Sequence, residues 1–412
     1  MNFSEDTETM AEQNYTISDI IETYISGDWG NDEPTEDASC PVSCIRGADI
    51  VPIYNSEYNN IPLRYISEKS LSNRALQEGD IVIEKSGGSP TQSTGRVVYI
   101  SKELLEEKKD IVCSNFCAAF RIKPEWDAKY VYYYLQHVYN AGVFFNFEGK
   151  TSGLKNLIMD TAFKSITIKK IAIETQRSIA TVLSTIESKM AANRAINHYL
   201  EEMLNLITSR FIFSAESLEK KKIGEIAEVK AGGDCPNIFS KIKTNDCQVP
   251  IYSNGIEKRG LYGFTNKSVI NRRCVTVAAR GTIGHCERRL YPFVPIIRLL
   301  SLIPIDEGGD VYLHQVISGM TFKKNGSVQQ QLTVPEISCM EIPYPNKETL
   351  KLYNDITSPI IHSIEQNISD LEVITSLRDE LLSLLMNGQV SIKQLNNDLA
   401  SHNIIAIYVL CS

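Results

Sequence analysis

Apolar residues recur at Leu183, Ile186, Met190, Leu200, Leu204, Ile207 and Phe211, a three-then-four spacing that predicts one seam of a helix over Thr175 to Phe211. Asn193 and Asn197 interrupt the seam, as polar residues do where they fix the register of paired helices. The pattern returns 178 positions later without a gap: Leu183 answers Ile361, Ile186-Glu187 answers Ile364-Glu365, Met190 answers Ile368, Leu204 answers Leu382 and Ile207 answers Leu385. Leu371 extends the second seam. One register held over so many positions indicates a duplicated unit. A helix of about 37 residues is a rod on the order of 55 Å, longer than one small domain needs. The natural partner of each seam is therefore the other helix, run antiparallel to it.

The stretches ahead of the helices also begin alike. ISDIIETYISGDWG from Ile17 and IGEIAEVKAGGDCP from Ile223 each read as a helical turn, a short strand and a glycine loop. The middles then diverge. In the first, strand signals at Asp80 to Ile83 and Val97 to Ile100 flank a Gly87-Gly88 loop, Cys113 to Ile122 is an apolar run, and Ala128 to Val143 reads as helical. In the second, Pro250 to Tyr252 enters a loop Ser253-Asn254-Gly255, and Cys274 to Ala279 predicts a buried strand leading into Arg280-Gly281-Thr282-Ile283-Gly284. The closing segments match again, Gly149 to Leu154 with Gly326 to Leu332 and Ile166 to Ile171 with Ile342 to Pro345. The expected fold is α+β: two tandem α+β domains with two long helices pairing as an antiparallel coiled coil. The expected boundaries are an acidic flexible tail at 1–15, domains at 16–170 and 216–345, helices at 171–215 and 346–398, and a tail at 399–412.

Charge sharpens this outline. The net charge of −8 is concentrated at the start, where residues 1–45 hold eleven acids and no Lys or Arg. The remainder carries 42 basic against 39 acidic residues, and Lys220 to Leu300 alone has fifteen Lys and Arg against six acids. That local surplus points to a polyanion partner. No run of about eighteen apolar residues could span a bilayer, and the amino terminus lacks a signal-peptide pattern, so a cytoplasmic location without membrane contact is expected. The ten cysteines, including the C-x3-C pairs Cys40/Cys44 and Cys113/Cys117, lack the spacing of a structural zinc site, so no metal is expected.

Catalytic motifs are missing. Gly149-Lys150-Thr151 imitates the end of a P-loop, but Phe144 stands where its first glycine belongs. No zinc-protease, nucleophile-elbow or amino-methyltransferase motif is present, and no catalytic residue is nominated. Binding chemistry is better represented. In the first domain the candidates for DNA contact are Lys85, Ser86, Gly87, Gly88, Arg96 and Lys150. In the second they are Asn254, Arg272, Arg273, Arg280, Gly281, Thr282 and Gln330, with Arg288 and Arg289 flanking the same strand. Cationic side chains at strand ends, beside glycines that admit a phosphate or base edge, suit nucleic acid. For each residue alone a tight turn or a solvated face is the better reading; it is the cluster that favours binding.

The order of these motifs, repeated twice from about Ile17 to Asp398, resembles the specificity subunit of type I restriction-modification systems. The residues carrying the likeness are the two domain starts, GDIVIEKSGGSPTQSTGRVVYI, VTVAARGTIG and the duplicated closing helix. The resemblance implies two target-recognition domains, each reading half of a split double-stranded DNA site, with the helices as a ruler for the gap. It implies a non-catalytic subunit that holds no cofactor itself and assembles with two methyltransferase subunits, which bind S-adenosylmethionine, and with ATP-driven, Mg-dependent motor-nuclease subunits. A partner-free DNA-bridging scaffold is the other reading, and a small-molecule enzyme has no catalytic constellation to favour it.

Overall fold

A computed structural model describes residues 13–88, 92–151, 154–214, 218–322 and 331–390. Two compact units emerge, Met1–Arg194 with Ser369–Ser412, and Ala195–Ile368. The long helices Ile173–Ser214 and Lys347–Met386 each contribute one segment to each unit. Each unit thus includes the helix halves that the sequence pattern set apart as separate segments. Among the described residues no helix is long and apolar enough to cross a membrane.

In the first unit, a strand Asn14–Thr16 precedes Ile17. Strand Asn14–Thr16 pairs antiparallel with Thr167–Lys169, and Tyr15 sets its ring edge-on to Trp126 at 5.7 Å. The turn Ile17–Ile20 is capped at its start: the Thr16 N–H donates to Asp19 Oδ2 at 2.8 Å and the Asp19 N–H to Thr16 Oγ1 at 3.2 Å. Ile21–Ser26 then opens an antiparallel four-stranded sheet in the order Ile21–Ser26, Cys117–Ile122, Ile81–Glu84, Val97–Tyr99. Ile81–Glu84 is buried throughout because both faces of its sheet are covered. Ile81 and Ile83 join the core under helix Ala128–Asn140, and Val82 joins a separate core on the other side. A second sheet places Cys40–Ile45 between antiparallel Leu63–Ile66 and parallel Ile111–Cys113.

The second unit repeats this plan. Ala227–Ala231, Leu300–Pro304, Cys274–Val277 and Cys286–Arg289 make the same antiparallel sheet in the same order. Val249–Tyr252 lies between antiparallel Leu261–Thr265 and parallel Val294–Pro295. Glu219–Lys222 pairs with Glu341–Tyr344 as the opening strand of the first unit pairs with its closing one. The middles therefore share their strand order although their sequences diverge, because a sheet asks for alternation and burial rather than particular side chains. Even a detail between strands recurs. Gly95 and Gly284 both have positive φ, and the rings of Phe144 and Phe322 occupy the space a Cβ would take at each. Of the matched closing segments, 326–330 lies outside the described residues.

The helix seam divides between the units. Leu183, Ile186, Met190, Leu382 and Leu385 are buried in the first unit's core, with Leu371 packed against it. Leu204 and Ile361 are buried in the second unit's core, with Ile207 against it. Leu200, Ile364 and Ile368 are only half-buried. The spacing also passed over Ile179, Ile374 and Leu381, all buried in the first unit. Each fully buried aliphatic side chain stabilises by about 1.5–3 kcal/mol. Within the second unit the segments run antiparallel: Asn197 Oδ1 accepts from Asn367 Nδ2 at 2.9 Å, and Thr208 bonds the Tyr353 hydroxyl at 2.7 Å. Within the first, Glu187 faces Arg378 at 3.9 Å.

Candidate nucleic-acid interface

In the second unit, one side chain ties together the loops at the strand ends. The Ala279 N–H donates to Asn254 Oδ1 at 2.7 Å, and Asn254 Nδ2 donates to the Ile297 carbonyl at 2.7 Å. Thr282 Oγ1 donates to the Asn254 carbonyl at 2.8 Å. Arg280 and Gly281 leave the buried strand and are exposed, and among the described residues no atom lies within 4 Å of the place a Gly281 Cβ would take. The Arg280 guanidinium donates to Gln331 Oε1 from Nε at 3.1 Å and from a terminal nitrogen at 2.5 Å. Gln330 lies outside the described residues, so the glutamine seen holding Arg280 is its neighbour, Gln331. Lys258 and Arg259 follow Asn254 closely, and both take positive φ, as do Ile297 and Arg298. Such non-glycine conformations cost on the order of 1–3 kcal/mol each and persist only where surrounding contacts over-determine them.

The remaining basic residues of this unit divide by role. Arg273, Lys258 and Arg298 are exposed. Arg272 donates to the Pro304 carbonyl at 2.7 Å. Arg288 is internal, held by Asp310 at 2.9 Å and Glu365 at 3.2 Å. Arg289 is buried, its guanidinium 3.7 Å over the Tyr252 ring and bonded to Thr276 Oγ1 at 3.0 Å, and burial lowers its pKa. The local basic surplus therefore includes structural arginines, which charge counting cannot separate from surface ones.

The first unit closes the corresponding place differently. Glu84, at the end of its buried strand, accepts Arg96 bidentately, Nε at 2.8 Å and a terminal nitrogen at 2.6 Å. This pairing raises the Arg96 pKa and commits the guanidinium inward. Arg96, nominated from sequence for DNA contact, thus serves the fold, because the carboxylate that neutralises it lies twelve residues back across a hairpin. Lys85 and Ser86 both donate backbone N–H groups to the Phe116 carbonyl, at 2.8 and 3.1 Å. Ser86–Gly87 pairs as a strand with Leu154–Leu157, which pairs in turn with Glu148–Thr151, the strand carrying Lys150. Gly88 is exposed with positive φ at the edge of this small sheet. Lys85, Ser86, Gly87, Gly88 and Lys150 thus converge on one loop-and-hairpin surface, beside the exposed Phe145 and Phe116.

Among the described residues no group of three His, Cys, Asp or Glu could hold a metal ion. Burial pushes the thiols of Cys44, Cys274 and Cys286 up to about 12 and that of Cys117 up to about 11, so they stay protonated.

The model of one protein family, described as the type I restriction modification DNA specificity domain, matches residues 13–202 and again 215–373. A putative type I specificity subunit of Mycoplasma pneumoniae is 32% identical over 140 residues, which are 34% of this chain and 42% of that relative. The match thus spans less than half of that relative's length. The MjaIX specificity subunit of Methanocaldococcus jannaschii is 20% identical over 399 residues, 85% of this chain and 88% of that one. The crystal structure of a type I restriction-modification S subunit from M. genitalium shares the fold, with a TM-score of 0.57 at 14% identity, covering 93% of this chain and 98% of that one.

Proposed function

The chain belongs to the type I restriction-modification DNA specificity family, and from that premise we propose that it reads a split double-stranded DNA site, one half through each unit. The observation that carries this is the pairing of one conserved strand order with two unlike sets of strand-end side chains. Lys85 and Ser86 furnish one set, Asn254, Arg273, Arg280, Thr282 and Arg298 the other. Two copies of a scaffold suit two half-sites, and loops free to differ suit different base sequences.

The chain's part is recognition, with the chemistry on partners: two methyltransferase subunits carrying S-adenosylmethionine, and motor-nuclease subunits using ATP and Mg. Support for a helix-borne partner lies on the outer face of the first long helix. Ile196, Tyr199, Met203 and Leu206 are spaced three, four and three apart and are 47%, 66%, 47% and 71% exposed, an apolar stripe without cover among the described residues. Coexpression with the neighbouring methyltransferase, followed by mapping of genomic methylation by single-molecule sequencing, tests the reading. A split motif that appears only when this chain is present is expected; unchanged methylation with no complex formed would sink it and leave a DNA-bridging scaffold as the better account.

A further inference from the structure

The tip Ile297-Arg298 holds its backbone in a strained conformation. Its φ values are 54° and 63°, and a β-branched residue rarely adopts such a conformation. Three of its backbone polar groups are pinned: Ile297 N–H donates to the Gly233 carbonyl at 2.9 Å, Arg298 N–H to the Gly232 carbonyl at 3.2 Å, and the Ile297 carbonyl accepts Asn254 Nδ2 at 2.7 Å. The result is an isoleucine side chain left 47% exposed, so burial does not offset the strain. Because the other end of the same Asn254 carboxamide holds the Ala279 N–H, one side chain sets the offset between the Ala278–Ala279 peptide, one residue short of Arg280, and the Ile297–Arg298 peptide. By strand register the tip corresponds to Asn115-Phe116 of the first unit, where neither residue has positive φ. The strain is peculiar to one reader, as a device matched to one half-site would be.

We infer that Ile297 is a base-reading residue of the second unit, its branched side chain lying against a thymine C5-methyl group, and that Asn254 is the positioning residue that aligns this tip with Arg280. The inference rests on the functional reading above. In the major groove the thymine methyl is the apolar feature of a base edge, and an exposed aliphatic group flanked by arginines at a strand end complements it.

The test uses the full-length chain with the methyltransferase that copurifies with it, once the wild-type split motif is known. Each thymine of the second unit's half-site is replaced singly by deoxyuridine, which removes the methyl group alone. One replacement is expected to weaken wild-type binding roughly four-fold, as the loss of one buried methyl group predicts. Ile297→Gly, whose new residue accepts positive φ without strain, is expected to bind the thymine and uracil duplexes equally while unfolding at the same or a higher temperature. Asn254→Asp keeps the acceptor for Ala279 but sets a carboxylate oxygen against the Ile297 carbonyl; it is expected to relax the motif at the Ile297 and Arg280 positions together and leave the other half-site intact. The inference is overturned if the half-site lacks thymine, if wild type tolerates every uracil, or if Ile297→Gly still senses the methyl. A wild-type chain that yields no split motif sinks the functional reading and this inference with it, whereas a split motif with no methyl effect sinks this inference alone.

Discussion

The same position on the same sheet is finished in two ways. Strand register aligns Ile83 with Val277, so Glu84 of the first unit corresponds to Ala278 of the second. In the first, the Glu84 carboxylate fills the space under Gly47 and Gly87 and draws Arg96 inward. In the second, an alanine leaves that position without charge; the loop is braced by Asn254, and Arg280 points outward. A charge pair used as an internal strut is unavailable for recognition, whereas a neutral clamp leaves the nearby cation at the surface, held by the uncharged Gln331 side chain rather than by a carboxylate. The duplicated helices repeat the lesson. Glu187 and Glu365 occupy matching positions, but Glu365 receives Arg288 at 3.2 Å, while Glu187 takes the Tyr133 hydroxyl at 2.6 Å.

The strongest way to break this comparison is Glu84→Ala, which gives the first unit the second unit's side chain without its clamp. It strands Arg96 half-buried and unpaired, and is expected to destabilise by about 3 kcal/mol in denaturant unfolding. A loss below about 1 kcal/mol would mean that the pair is no strut.

The Glu187 difference appears as a pH effect. Burial pushes its pKa up from 4.5 to about 7, so the folded state holds this proton more tightly than the unfolded state does. The group's contribution to stability is therefore greatest below pH 4.5 and declines as pH rises towards 7. Glu187→Gln is expected to flatten that decline in unfolding midpoints measured from pH 5 to 8, and an unaltered slope would assign it to other groups.

Smallest in stability, though not in recognition, is Arg280→Ala. An exposed side chain is expected to change unfolding by less than about 0.5 kcal/mol. Its loss should nonetheless weaken discrimination at one half-site by about 1–3 kcal/mol, read as a relaxed methylation motif. Equal relaxation of both half-sites would count against two independent readers.

Much of the fold was legible because burial leaves a period. The helix seam, the capped turn after Thr16 and the strand Ile81–Glu84 each follow from spacing that any apolar face must show. The candidate site was only partly legible. Lys85, Arg280 and the glycine loops could be found because cations beside glycines at strand ends are visible locally. Arg96 was assigned outward because the chain does not announce that Glu84 faces it, and Ile297 escaped notice because an isoleucine before an arginine reads as ordinary strand.

What the sequence determined by itself is the duplication, the two long helices, a few of the buried strands and the region of excess positive charge, all properties of neighbours along the chain or of a fixed repeat. Tertiary structure alone decided which arginines are struts and which are free, which seam residues are buried, and that Asn254 joins two loops separated from it by 25 and 43 residues. Those outcomes depend on which groups meet after the sheets form, and hydrogen bonds and desolvation act between groups that meet in space however far apart they lie in the chain.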